Sequence, residues 1–168
     1  SLLSGGKARG SSCPNLIDWL RSVLDRRKLR VVPSLDAERF PAGAMERFTS
    51  SEYVVDEHSN RVGVRLRGPA VRCPEDGDWQ ESEPTVSGGV QVPSDGQPII
   101  LGVDRPTTGG YPVLACVIGA DLPSMAMIRP RETVRFEFTS LADARRMTAE
   151  QIRTLDTLLP PSGEHLRP

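Results

Sequence analysis

Asp104, Arg105, Thr107, Thr108, Gly109, Gly110 and Tyr111 fall within the eight positions DRPTTGGY, directly after the apolar run PIILGV. A carboxylate, a guanidinium, two hydroxyls and a phenol delivered at a strand end are the materials of a polar site. The Gly109–Gly110 pair lets backbone approach a ligand closely or take positive φ. The segment is not a P-loop, because no Gly-Lys-Ser/Thr follows and no helical pattern opens after it. A loop tied together by Asp104–Thr hydrogen bonds accounts for the same residues equally well.

Two further groups have chemistry to offer. In QVPSDGQP, Pro93 and Asp95-Gly96 make a turn, and Pro98 restarts an extended chain. The turn is flanked by Gln91 and Gln97, whose amides both donate and accept, as gripping an amide or urea-like group requires. A plain hairpin turn is the alternative. In HSNRVGVRLRG, Arg61 and Arg65 are an even number of positions apart and are predicted to share a strand face. Together they would clamp a carboxylate or phosphate, or simply stay solvated. His58, in the turn, and His165, in the tail, are read as surface residues. Cys13, Cys73 and Cys116 are odd in number and widely spaced. They form neither a disulfide framework nor a zinc motif, and Cys116 reads as a small buried residue.

These groups need a scaffold of short strands. CPNLIDWLRSVLDRR places Leu16, Trp19, Leu20, Val23 and Leu24 on one helical face, with Pro14 in the first turn. LRVVPS is a strand, and DAERFPAGAMERFTS is one or two helical turns broken by Pro41 and Gly43. EYVVDEHSNRVGVRLRG reads as two strands joined at DEHSN, with Val62, Val64 and Leu66 on one face. Strands follow around VQV, PIILGVD, PVLACVIGADL and ETVRFEFTSL, fenced by turn residues. Phe136 and Phe138 are assigned to the core, and Met125 and Met127 are taken as core filler. Ser140 with Asp143, and Thr148 with Gln151, have capping spacing before a helix whose apolar face is Ile152, Leu155 and Leu158. Short strands, long turns and few helices predict a mostly-β barrel or sandwich. The organisation is a flexible N-terminus plus amphipathic helix over 1–28, a β domain over 29–141, and a C-terminal helix and tail over 142–168.

Composition limits the partners. The chain has 168 residues, 38% hydrophobic and 26% charged, and a formal net charge of -1. That is one ordinary domain, with no electrostatic reason to bind nucleic acid or an anionic membrane. No apolar run approaches the roughly 20 residues a membrane span needs, and SLLSGGKARG is too polar for a signal peptide. Cytoplasm is the default expectation.

SNRVGVRLRGP, GGVQVPSDGQPIILGVDRPTTGGYPVLACVIGADLP and RPRETVRFEF occur in this order and at close spacing. Together they resemble the C-terminal half of the biotin-dependent carboxyltransferase-like family. That family includes allophanate hydrolase subunit 2, the carboxyltransferase part of urea carboxylase and the C subunit of 5-oxoprolinase. The resemblance covers Leu29 to Leu141. It implies a cyclophilin-like β-barrel with short flanking helices. It also implies a partner like allophanate hydrolase subunit 1, related to the kinase-inhibitor proteins. Biotin (as carboxybiotin) or ATP would enter through the complex rather than bind this chain directly. Family members are longer, so a fragment or a shortened member is expected. The pattern departs from the family at Asn60, Val62, Val64, Gly89, Val90, Pro106 and Arg131, the last standing where the family has Gly.

Two functions follow from the resemblance. As part of an enzyme, a hydrolase or carboxyltransferase not active alone, the chain would use Arg61 for a carboxylate or phosphate-like group. Gln91, Gln97 and residues 104–111 would line an amide or urea pocket. Asp104 would orient Arg105 or act as general base, and the Gly109 and Gly110 N–H groups would face an oxyanion. As a regulatory module, related to the antagonist of a histidine-kinase inhibitor, it would use the same loops as a protein-binding surface.

Overall fold

A computed structural model describes residues 15–25, 27–72 and 82–159. Cys13, Pro14, Cys73 and His165 lie outside the described residues. The early helix forms as α1 (Leu16–Leu24), capped by Asn15, whose side chain accepts from the Asp18 N–H. Val23 is buried from it, while Leu20 stays exposed.

Side-chain alternation builds the barrel wall. In β2 (Glu52–Val55), Tyr53 and Val55 point inward and Glu52 and Val54 outward. In β3 (Gly63–Arg67), Val64 and Leu66 are buried and Arg65 and Arg67 exposed. The other barrel strands are β1 (Lys28–Pro33), β5 (Gly89–Gln91), β6 (Ile99–Leu101), β8 (Val113–Val117) and β9 (Thr133–Phe138). They close in the order β1-β8-β5-β6-β3-β2-β9. Every neighbour pair is antiparallel except the seam, where β1 runs parallel to β9 with Leu29 opposite Phe136. Of the two architectures the sequence allows, the chain takes the closed barrel.

The barrel is filled by Leu29, Val31, Leu66, Ile100, Leu114 and Val134, all at most 1% exposed. A short helix, α2 (Ala44–Ser50), enters after Gly43 at φ 81° and plugs one side with Phe48. The Phe48 ring stacks on Phe136 at 4.2 Å and lies 5.5 Å from Tyr53. Beyond β8 the chain turns at Gly119–Asp121 and forms α3 (Leu122–Met125). Asp121, fully buried, accepts from the Arg30 backbone N–H at 2.8 Å and from its Nε at 2.9 Å. The Arg30 Nη1 also donates to Met147 Sδ on α4 (Leu141–Leu158) at 2.7 Å, so one cation joins the barrel to that helix. Among the described residues, no helix is long and apolar enough to cross a membrane.

Several expectations are corrected. Phe138 continues the alternation of Val134 and Phe136, yet it is the last residue of β9, paired with Val31, and is 55% exposed. Met125 is core, but Met127 is exposed. Val62 and Arg61 precede β3, so neither shares a strand face with its neighbours, and Val62 is exposed. The predicted strand PVLACVIGADL ends at Val117, where Gly119 starts a helical turn. Ser140 does cap α4, accepting from the Asp143 N–H at 3.0 Å. Thr148 does not cap anything: it sits within α4, bonded to the Ala144 carbonyl and packed on Gly119. Ile152 is exposed, while Leu155 and Leu158 are half-buried.

Candidate functional site

The DRPTTGGY loop leaves β6 and is zipped at once to the loop before β3. Gly102 N–H donates to the Val62 carbonyl at 2.8 Å and Asp104 N–H to the Arg61 carbonyl at 3.1 Å. A side chain at Gly102 would overlap that Arg61 carbonyl, so glycine is required there by space. The zipper brings Arg61 to Asp104: Nε–Oδ2 is 2.7 Å and Nη2–Oδ1 is 3.3 Å, a two-pronged pair. Both side chains are more than half exposed, so water screens the pair and it opens at small cost.

Asp104 therefore engages Arg61, not its sequence neighbour Arg105. Arg105 turns the other way and is half-buried, with Nη1 donating to Ser87 Oγ at 2.8 Å. Its Nε is buried without a partner among the described residues. Ser87 in turn donates to the Gly102 carbonyl at 3.3 Å, which ties Arg105 to the same zipper.

The rest of the loop is built into secondary structure. Thr108–Gly109 form β7, paired with β4 (Glu83–Pro84) in a ribbon that composition hid inside a loop-rich stretch. Thr85 donates its N–H to the Thr107 carbonyl at 3.0 Å and its hydroxyl to the Pro106 carbonyl. A Cβ at Gly109 would come within 2.7 Å of Gln91 Nε2, so the close approach it permits is to the protein's own amide. Positive φ is found at Gly43, Gly88 and Gly96, not at Gly109 or Gly110. Thr107, Thr108, Gly110 and Tyr111 are exposed on the outer side of this ribbon.

The two glutamines do not converge. Gln91 is buried and donates to the Tyr111 carbonyl at 3.3 Å. Gln97 holds Gly68 at both ends, accepting its N–H at 3.0 Å and donating to its carbonyl at 3.2 Å. His58 lies 2.8 Å from Asp56 on the surface, and burial pushes the Cys116 thiol up, away from the nucleophilic thiolate.

What adjoins the Arg61–Asp104 pair is a cavity of about 670 Å³ between the start of β3, the end of β6 and α3. Ser59, Asn60, Arg61 and Ser87 supply polar groups; Val64, Leu101, Leu122, Met125 and Ile128 supply apolar wall. Leu122 and Met125 had no signal as site residues, because Leu122 reads as the end of a strand and Met125 as core filler. Ser87 had one: it opens the turn sequence Ser87-Gly88-Gly89, in which Gly88 takes a φ of 83°.

The family profile described as "Carboxyltransferase domain, subdomain A and B" matches residues 4–138. The chain belongs to this carboxyltransferase-domain family. The match takes in residues 4–28, which the motifs alone leave outside the resemblance. Among relatives, the carboxyltransferase-domain chain is 33% identical over 139 residues to the C subunit of 5-oxoprolinase from Escherichia coli (strain K12). It is 35% identical over 130 residues to that of Haemophilus influenzae. The alignments cover 83% and 77% of this chain but 44% and 42% of those proteins, so it spans less than half their length. The crystal structure of the Kluyveromyces lactis urea carboxylase superposes with TM-score 0.72 and 26% identity. That superposition covers 80% of this chain and 13% of the larger protein.

Proposed function

We propose that this carboxyltransferase-domain chain serves, with partner subunits, in an ATP-coupled reaction on an amide, with 5-oxo-L-proline opened to glutamate as the preferred case. The two-pronged Arg61–Asp104 pair beside the apolar cavity carries the reading. An incoming carboxylate competes with Asp104 for Arg61. Displacement frees the Asp104 oxygens to accept a proton at the reacting amide, a general-base role needing only hydrogen-bond reach. Ser87 fixes Arg105 nearby as a second source of positive charge. The kinship with the 5-oxoprolinase C subunits favours this substrate over urea.

ATP and carboxybiotin are assigned to the partner subunits. The strand pairing of Thr108 and Gly109, which spends backbone groups a phosphate cradle would use, supports this assignment. The amides of Gln91 and Gln97 are bonded to Tyr111 and Gly68, which favours a structural role for this pair over a grip on a ureido ring. The partner is of the kinase-inhibitor-like, cyclophilin-like type, and the setting for an ATP-coupled reaction is the cytoplasm.

The test is co-expression with the partner subunits and an assay of ATP-dependent glutamate formation. Asp104→Asn is expected to lower turnover by about a hundredfold. Undiminished turnover would remove Asp104 from the mechanism, and a tight complex without turnover would favour the regulatory role.

A further inference from the structure

The cavity beside Arg61 has an unusual balance of groups for an amide-handling site. One guanidinium stands in its lining, no carboxylate does, and the wall formed by Val64, Leu101, Leu122, Met125 and Ile128 offers no hydrogen bond from its side chains. The lining hydroxyls and amide are largely spoken for: Ser87 is a partner of Arg105 and of the Gly102 carbonyl, Ser59 Oγ bonds the Arg65 N–H and carbonyl, and Asn60 Oδ1 accepts from the Val62 and Gly63 N–H groups. Outside the lining, Asp104 is held by Arg61 and Arg105 is held by Ser87, so the groups on and next to the cavity carry two positive charges and one negative. Arg105 has no ion pair among the described residues, and its buried Nε adds an unanswered donor behind Ser87.

Such a site cannot reward a small polar molecule. Urea would lose water from every face and regain few hydrogen bonds against apolar walls. A lactam without an acid would meet the same penalty at its amide. A carboxylate on a hydrocarbon ring gains on both counts: the acid takes the fork that Asp104 now holds, and ring methylenes cover the apolar wall. We infer that this cavity selects organic acids with an apolar ring edge, recognised by carboxylate and hydrocarbon, the amide contributing little to affinity. Asp104 is then a built-in competitor, a carboxylate of the protein that occupies Arg61 until the acid displaces it. The inference rests on the same cavity as the proposed reaction and deepens it by naming what the site recognises.

The experiment is a titration of the purified chain, followed through the methyl NMR signals of Met125 and Ile128. The ligands are cyclopentanecarboxylate, 2-pyrrolidinone and urea. Cyclopentanecarboxylate should shift both methyl groups and bind at least about tenfold more tightly than either neutral compound. Arg61→Gln should weaken the acid about tenfold, and Asp104→Asn should tighten it severalfold by removing the competitor. Unshifted starting spectra in both variants report an intact fold, since both positions are exposed. Equal binding of 2-pyrrolidinone and the acid, or weaker acid binding in Asp104→Asn, would overturn the inference. The two readings fail separately: a chain that binds the acid in a complex that makes no glutamate loses the reaction and keeps the selectivity.

Discussion

Arg131 is the non-glycine residue with positive φ among the described residues, at 71°. The left-handed region costs a side chain with a Cβ about 1 kcal/mol or more, and the family pattern has glycine at this position. What Arg131 gains is an exposed pair with Glu57, its Nε at 2.7 Å, worth a few tenths of that cost. Arg131→Gly should therefore raise the melting temperature by about 2–4 °C. Arg131→Ala, which keeps the strain and loses the pair, should fall below the wild type in the same thermal scan. Asp56 supplies a pH signature. The His58 backbone N–H, the Arg67 guanidinium and the His58 ring hold its carboxyl well below the ordinary value of 3.8. A depressed folded value means stabilisation present above that ordinary value and lost as pH falls through the folded one. In acid denaturation curves the gap between wild type and Asp56→Asn should be open at neutral pH and close below about pH 4. At single residues the sequence named chemistry well and partners poorly. Asp104 and Arg105 are adjacent, yet the chain turns at Val103–Asp104 and the two side chains diverge, so each found a partner far along the sequence.

The barrel strands were visible as apolar runs because each is long enough, or alternating enough, to show a period. The β4–β7 ribbon has two residues per strand and no period at all. The helix α3 was hidden for another reason: Leu122 continues the apolar run of β8, and only the Gly119 turn separates them. That turn sets the position of the cavity wall, so the part of the site on α3 went unread with it. Asp121 anchors the same turn, fully buried against Arg30, whose side chain is 17% exposed. Removing the acid leaves a guanidinium with poor access to water. Asp121→Ala should cost about 3–5 kcal/mol, read as a lower urea midpoint. The paired change Arg30→Met with Asp121→Leu should recover part of that loss: no charge is then stranded, though the residue 30 backbone N–H loses its acceptor.

The molecule as a whole depends on its seam. Each antiparallel neighbour pair joins strands by hairpins or longer returns, but β1 and β9 meet only when the chain has gone fully round. Phe136 sits at that seam and stacks on Phe48, so closing the cylinder and completing the aromatic core are one event. A chain stopped after residue 127 should show no cooperative thermal transition by circular dichroism; a sharp melt would mean the open sheet is stable alone. For a protein made from its N-terminus onward, the seam also sets a schedule. Strand β1 leaves the ribosome before every other strand of the barrel and its two neighbours, β8 and β9, after all the others, so β1 waits with both edges unsatisfied. Nascent chains of this kind are natural clients for a chaperone that shields strand edges until the final strand emerges.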